Sequence, residues 1–76
     1  MKLTPVQKEV VELLRSVNNI IIYIALPVKM SGHAVANREG QIIKRIQYRT
    51  FKYLLENKVI EGRNHNQYFI LNPNFK

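Results

Sequence analysis

Arg49, Lys52 and Tyr53 lie within one short run, YRTFKYLLEN, and on a helix they share a side with Glu56, while Tyr48, Phe51, Leu54 and Leu55 share the other. An arginine's planar fork can pair with guanine O6 and N7 or with a phosphate, whereas a lysine offers a point charge suited to a phosphate or a single acceptor. Tyr53 could donate to a phosphate. A second group, Arg63-Asn64-His65-Asn66, offers donors suited to phosphates at a hairpin tip. A third, Lys44-Arg45, adds charge just before the helix, although strand alternation lets only one of the two join a surface with Arg49. Each group also has a bland reading: a solvated helix face with a Lys52 to Glu56 pair worth roughly a few tenths of a kcal/mol, or a polar turn.

Other chemistries find little footing. The five acids, Glu9, Glu12, Glu39, Glu56 and Glu61, are scattered, and there is no aspartate, nucleophile elbow, phosphate-cradling glycine loop or triad set. A non-enzyme is expected. His33 and His65 stand far apart in a chain without cysteine, so neither a metal site nor a cofactor is expected. The lack of cysteine is compatible with a reducing compartment, and a cytoplasmic location is the expectation.

Stepping from side chains to the chain that must hold them, 76 residues suffice for one small domain, taken as 1–76. The formal net charge is +7, which favours a polyanionic partner. It is unevenly spread: three cations face two acids in residues 1–28, but nine face three in residues 29–76, a net +6. Lys8, Glu9 and Glu12 interrupt what a signal peptide would need to be apolar. The apolar run from Ile20 to Leu26 is far short of the ~20 residues that cross a bilayer as a helix.

Thr4-Pro5-Val6-Gln7 has the pattern of a capping box with proline at the first helical position, so a helix starts there. Val6, Val10, Leu13, Leu14 and Val17 form its apolar stripe, and Asn18-Asn19 mark its end. The β-branched and aromatic run from Ile20 to Ile24 predicts a mostly buried strand closed by Pro27. Two arrangements fit the next segment. In one, His33 to Asn37 and Gln41 to Ile46 are strands joined through Arg38-Glu39-Gly40, with Gly40 supplying a positive φ. In the other, Ser31 caps a short helix and a long helix runs from Gln41 to Asn57. At about 100° per residue, Ile42, Ile43 and Ile46 would then point about 130° or more away from the Phe51/Leu55 side, which favours the hairpin and a break near Gln47. A helix from Tyr48 to Asn57 follows. Val59 and Ile60, then Tyr68 to Leu71, read as two strands, with Gly62, Asn64, His65 and Asn66 suited to the connection. The order helix, strand, hairpin, helix, hairpin is an α+β domain.

TFKYLLENKVIEGRNHNQYFILNP resembles the C-terminal half of a winged helix-turn-helix domain, in which a Ser/Thr-initiated helix ends in L-E-x-x-G-[LV]-I and leads into a two-stranded wing. Thr50, Leu55, Glu56, Val59, Ile60, Tyr68 and Leu71 carry the match. More narrowly, Leu3 to Ile60 resembles small single-domain proteins of bacterial and phage genomes that begin L-T-P-x-Q and reach a x-x-T-F-x-x-L helix through a glycine-containing hairpin. Lys58 stands where the family carries glycine, and Asn57, tolerant of the left-handed conformation, could supply the helix end. A hairpin or a degenerate segment takes the place of the family's middle helix. The resemblance implies that the Tyr48 to Asn57 helix lies in a DNA major groove and that the wing tip tracks the backbone or minor groove. On that basis Lys44, Arg45, Arg49, Lys52, Tyr53, Arg63, Asn64 and Asn66 are the expected contacts to double-stranded DNA. A homodimer is expected if the target is palindromic. The competing expectation is a protein-interaction adaptor that does not bind DNA.

Overall fold

The computed structural model describes residues 2–24 and 32–75. The first helix, α1 (Pro5–Leu14), is closed by the expected capping box: the Gln7 N–H donates to Thr4 Oγ1 at 3.2 Å and the Thr4 N–H to Gln7 Oε1 at 2.9 Å. At the other end the Asn19 amide donates to the Leu13 carbonyl at 2.8 Å. Of the expected stripe, Val10 and Leu14 are buried and Leu13 packs against the core, Val11 joins them, and Val6 and Val17 at its two ends are exposed. Because the helix stops at Leu14, Val17 falls in the turn that follows and is 86% exposed.

Five strands follow in two groups. Strand β1 (Asn19–Ile24) precedes a hairpin of β2 (Gly32–Asn37) and β3 (Ile42–Ile46). In its turn Gly40 takes φ 91°, and Asn37 Oδ1 accepts from the Glu39 and Gln41 N–H groups at 3.0 Å each. The hairpin reading therefore holds and the short-helix reading does not; Ser31, the expected cap of that short helix, and Pro27, expected to close β1, lie outside the described residues. Helix α2 (Tyr48–Glu56) comes directly after, then the hairpin of β4 (Ile60–Arg63) and β5 (Tyr68–Leu71). Gly62 thus belongs to a strand, and the connection is residues 64–67.

All five strands form one antiparallel sheet in the order β3-β2-β1-β5-β4. Ile21 lies opposite both Val35 and Phe69, and these side chains meet Val10, Val11 and Leu14 of α1 and Phe51 and Leu54 of α2 in a single core. Both helices therefore pack on the same face. Alternation sends Ile20, Ile22, Ala34, Ala36, Tyr68 and Ile70 to the other face, which no element covers among the described residues. The expectation of a mostly buried β1 is met only in part: Ile21 is fully buried, Ile20, Ile22 and Ile24 are half-buried, and Tyr23, on the helix-bearing side beside His33, is exposed.

The C-terminus of α2 also departs from expectation. Asn57 keeps φ −92°, and it is Lys58 that takes the left-handed conformation, at φ 58°. The Lys58 N–H donates to the Leu55 carbonyl at 3.1 Å and the Val59 N–H to the Leu54 carbonyl at 2.9 Å, the pair of bonds that defines a Schellman motif. Leu54 and Val59, both fully buried, supply its apolar contact, so the position that breaks the glycine pattern still performs the glycine's turn. No helix among the described residues is long and apolar enough to cross a membrane.

Candidate nucleic-acid interface

Helix α2 presents its side chains in an order set by its pitch. At about 100° per residue, Thr50, Phe51 and Leu54 fill one arc, and Arg49, Lys52 and Glu56 centre on the opposite one. The burial follows: the first three are buried and the second three exposed. Tyr48 and Leu55 fall on one flank, so Tyr48, expected inward, is 69% exposed. Tyr53 falls on the other flank; expected outward, it is half-buried and packs against the core. Arg49 and Lys52 take part in no ion pair among the described residues, and the Lys52 to Glu56 pair does not form.

The strand register fixes what stands beside this face. Ile24 pairs with Gly32, and His33 with Ile46, so β1 and β3 finish at the same end of the sheet and α2 starts there. Ile22 pairs with Tyr68, and Tyr68 with Arg63, which brings the β4–β5 turn to that same end. Glu39 in the β2–β3 turn and Glu56 at the close of α2 lie at the other end. Gln47 provides no side-chain cap and the first turn of α2 carries no acid, so the positive end of the helix dipole is left without a side-chain anion.

The remaining expected contacts do not converge on α2. Lys44 shares the helix-bearing face but pairs with Glu9 of α1 at 3.0 Å. Arg45 lies across from Ala34, on the face turned away from the helices. Arg63, opposite Tyr68, is on that face too and pairs with Glu61, two residues back on its own strand. Comparison of the chain with protein-family models, with curated proteins and with solved structures gives no match.

At the hairpin tip the backbone does something the sequence did not announce. Asn64, His65 and Asn66 have φ of 52°, 60° and 63°, three consecutive left-handed residues. Asparagine tolerates this conformation best among side-chain-bearing residues. The Asn64 amide donates to Gln67 Oε1 at 2.5 Å, so that side chain is engaged within the turn. Asn66 folds back over Gly62, where its amide fills the space a Cβ would need. Arg63, Asn64 and Asn66 thus spend their side chains inside the hairpin, and His65 is left exposed at its apex.

One residue that the sequence reading set aside has a structural part. His33 stacks on Phe51 with ring centroids 3.7 Å apart and planes 8° from parallel, and meets the edges of Tyr23 and Phe69 at 5.2 and 6.0 Å. It joins the inner strand β2 to the middle of α2. Burial holds its imidazole pKa below the ordinary 6.5. Its pairing with an aromatic two elements away depends on strand order, which no local pattern reveals. Among the described residues no group of three or more potential metal ligands comes together.

Proposed function

We propose that this chain binds double-stranded DNA as a winged-helix module, with α2 as the helix that enters the major groove and the β4–β5 hairpin as its wing. The observation that carries the reading is the shared end of the sheet: the uncapped, acid-free first turn of α2, with Arg49 on it and Lys52 one turn on, lies at the same end as the β4–β5 turn. A helix N-terminus and an arginine fork both suit phosphate oxygens, and an arginine early on such a helix is also the residue nearest a guanine edge. The topology is compatible. β5 lies against β1, and the β2–β3 hairpin occupies the stretch of chain where a winged helix has its middle helix.

The dispersal of the other cations lowers the expected strength. With Lys44 held by Glu9, and Arg45 and Arg63 on the far face, few phosphates are neutralised at once, and binding should be weak and lost at modest salt. The role that fits is a small transcriptional regulator or an accessory protein of a mobile element. The test is anisotropy of a labelled random duplex across a salt series, with Arg49→Ala and Lys52→Ala combined. Wild type should show a linear fall of log affinity with log salt, and the double variant should lose about 2 from that slope without unfolding. Absence of binding at low salt would hand the case to the adaptor reading, and an unchanged slope would remove α2 as the contact surface.

A further inference from the structure

We infer that a groove beside α1 binds a small organic acid, its apolar body lying on Leu3, Val11 and Phe75 and its carboxylate taken by Lys2 and Lys8. The groove has a volume of about 510 Å³, within the ~300–1,000 Å³ of small-molecule sites. Three pieces of chain wall it. Along α1 and its C-cap, Lys8, Val11, Glu12 and Arg15 follow at i, i+3, i+4 and i+7, a single stripe. Lys2 and Leu3 come from the segment before α1, and Phe75 from the segment after β5.

Hydrogen bonds hold these walls in place. The capping box of Thr4 and Gln7 fixes the chain that carries Leu3. Asn72 fixes the chain that carries Phe75: its amide and its N–H donate to the Lys58 and Val59 carbonyls, and its own carbonyl accepts from the Phe75 N–H at 2.9 Å. Leu3 and Phe75 are half-buried against the core and Val11 is 3% exposed, so the apolar floor is recessed. A site assembled in advance loses little binding free energy to ordering.

Charge selects the occupant. Glu12 also lines the groove, but Arg15 holds it at 3.2 Å. Lys8 stands four residues before Glu12, the less favourable order for a lysine and a glutamate on a helix, and forms no ion pair among the described residues. Lys2 forms none either. Three cations less one acid leave the groove a net +2, with two compact ammonium charges unmatched over an apolar floor.

Other occupants fit less well. A duplex has no apolar group to fill the floor, and Glu12 would face its phosphates. A folded protein partner needs about 800 Å² on each side, and insertion into a membrane needs apolar side chains that project, whereas these line a concavity. The chemistry that matches is one small anionic head on an apolar body, as in a medium-chain fatty acid or an aryl carboxylate. The site does not depend on the DNA reading.

Titration of ¹⁵N-labelled protein with octanoate, below the concentration at which it aggregates, tests the site. Amide shifts should saturate with a Kd of about 1 mM and centre on Lys2, Leu3, Lys8, Val11 and Phe75. Octanol, which keeps the tail without the charge, and acetate, which keeps the charge without the tail, should each bind about tenfold more weakly or worse. Lys2→Glu combined with Lys8→Glu should weaken octanoate about tenfold or more, and Glu12→Gln should tighten it about two- to threefold. Arg49→Ala with Lys52→Ala should bind octanoate as wild type does, which separates this surface from the DNA-binding one. Circular dichroism checks that each variant is folded. Shifts that fail to saturate, that centre elsewhere or that appear only once octanoate aggregates overturn the site. Equal binding of octanol, or a folded double-glutamate variant that binds unchanged, overturns the carboxylate contact.

Discussion

Lys58 offers a test in which the sign of a familiar effect should reverse. At an ordinary exposed helix position, alanine is more stabilising than glycine by about 1 kcal/mol. At φ 58° the balance changes, since a Cβ in the left-handed region costs roughly 1–2 kcal/mol, and glycine gives back only about 0.4–1 kcal/mol through its freer unfolded chain. Comparing Lys58→Gly with Lys58→Ala removes the lysine's charge from both arms, so its interaction with the helix dipole cancels. The expected result is that the glycine variant is the more stable by about 0.5–1 kcal/mol, or about 2–8 °C in Tm for a domain of this size. Urea denaturation and thermal melts monitored by circular dichroism both report it. The backbone around position 58 is well held, because the Asn72 amide donates to the Lys58 carbonyl at 2.9 Å and the Asn72 N–H to the Val59 carbonyl at 2.8 Å. Relaxation into another conformation is therefore not a cheap escape for alanine. An alanine variant equal to or above the glycine one would refute the Schellman geometry at the end of α2.

Three further outcomes follow from other parts of the fold. Gly62→Ala should loosen the β4–β5 hairpin, because the new Cβ meets the Asn66 side chain and lies 3.2 Å from the Phe69 ring; adding Asn66→Gly should restore much of the lost stability, and strict additivity in that double-mutant cycle would contradict the fold-back. Acidification should destabilise the protein through His33: the folded state holds its pKa below 6.5, so stability present above that value declines as pH falls through it and is fully lost below the folded-state pKa. The drop in Tm from about pH 7.5 to about pH 5 should shrink in His33→Phe, and an equal drop in both proteins would exclude the imidazole as its source. Leu54→Ala, at a fully buried site between the helices and the sheet, should cost about 2–5 kcal/mol in chemical denaturation, and a loss under about 1 kcal/mol would mean that α2 is not seated as described.

The order of elements was legible because each boundary carries a strong local signal: the Thr4-Pro5-Gln7 cap, the isoleucine run of β1, the positive φ at Gly40 and the polar connection at 64–67. Facing was not. Whether Tyr48 or Tyr53 turns inward depends on where α2 sits over the sheet, and the sheet's order joins β1 to β5, strands that are far apart in sequence. The fates of Lys44, Arg45 and Arg63 were hidden for the same reason, since alternation says only that neighbours diverge and not which face the helices cover. Lys58 was misjudged on residue preference: asparagine accepts the left-handed region more readily, but the Schellman hydrogen bonds fall at position 58 and tertiary packing of Leu54 on Val59 outweighs the preference.

Gly62 and Asn66 also bear on how this chain can change over generations. Because the Asn66 side chain occupies the volume that a Cβ at position 62 would need, residue 62 cannot gain bulk while residue 66 keeps its length. A variant that gains bulk at 62 has to shorten residue 66 in the same lineage or abandon the tight tip altogether, and His65, exposed at the apex but left-handed at φ 60°, is held to the few residue types that accept that backbone. Descendants of this chain should therefore keep glycine at 62 wherever 66 stays long, and gain a side chain at 62 only together with a shorter residue at 66.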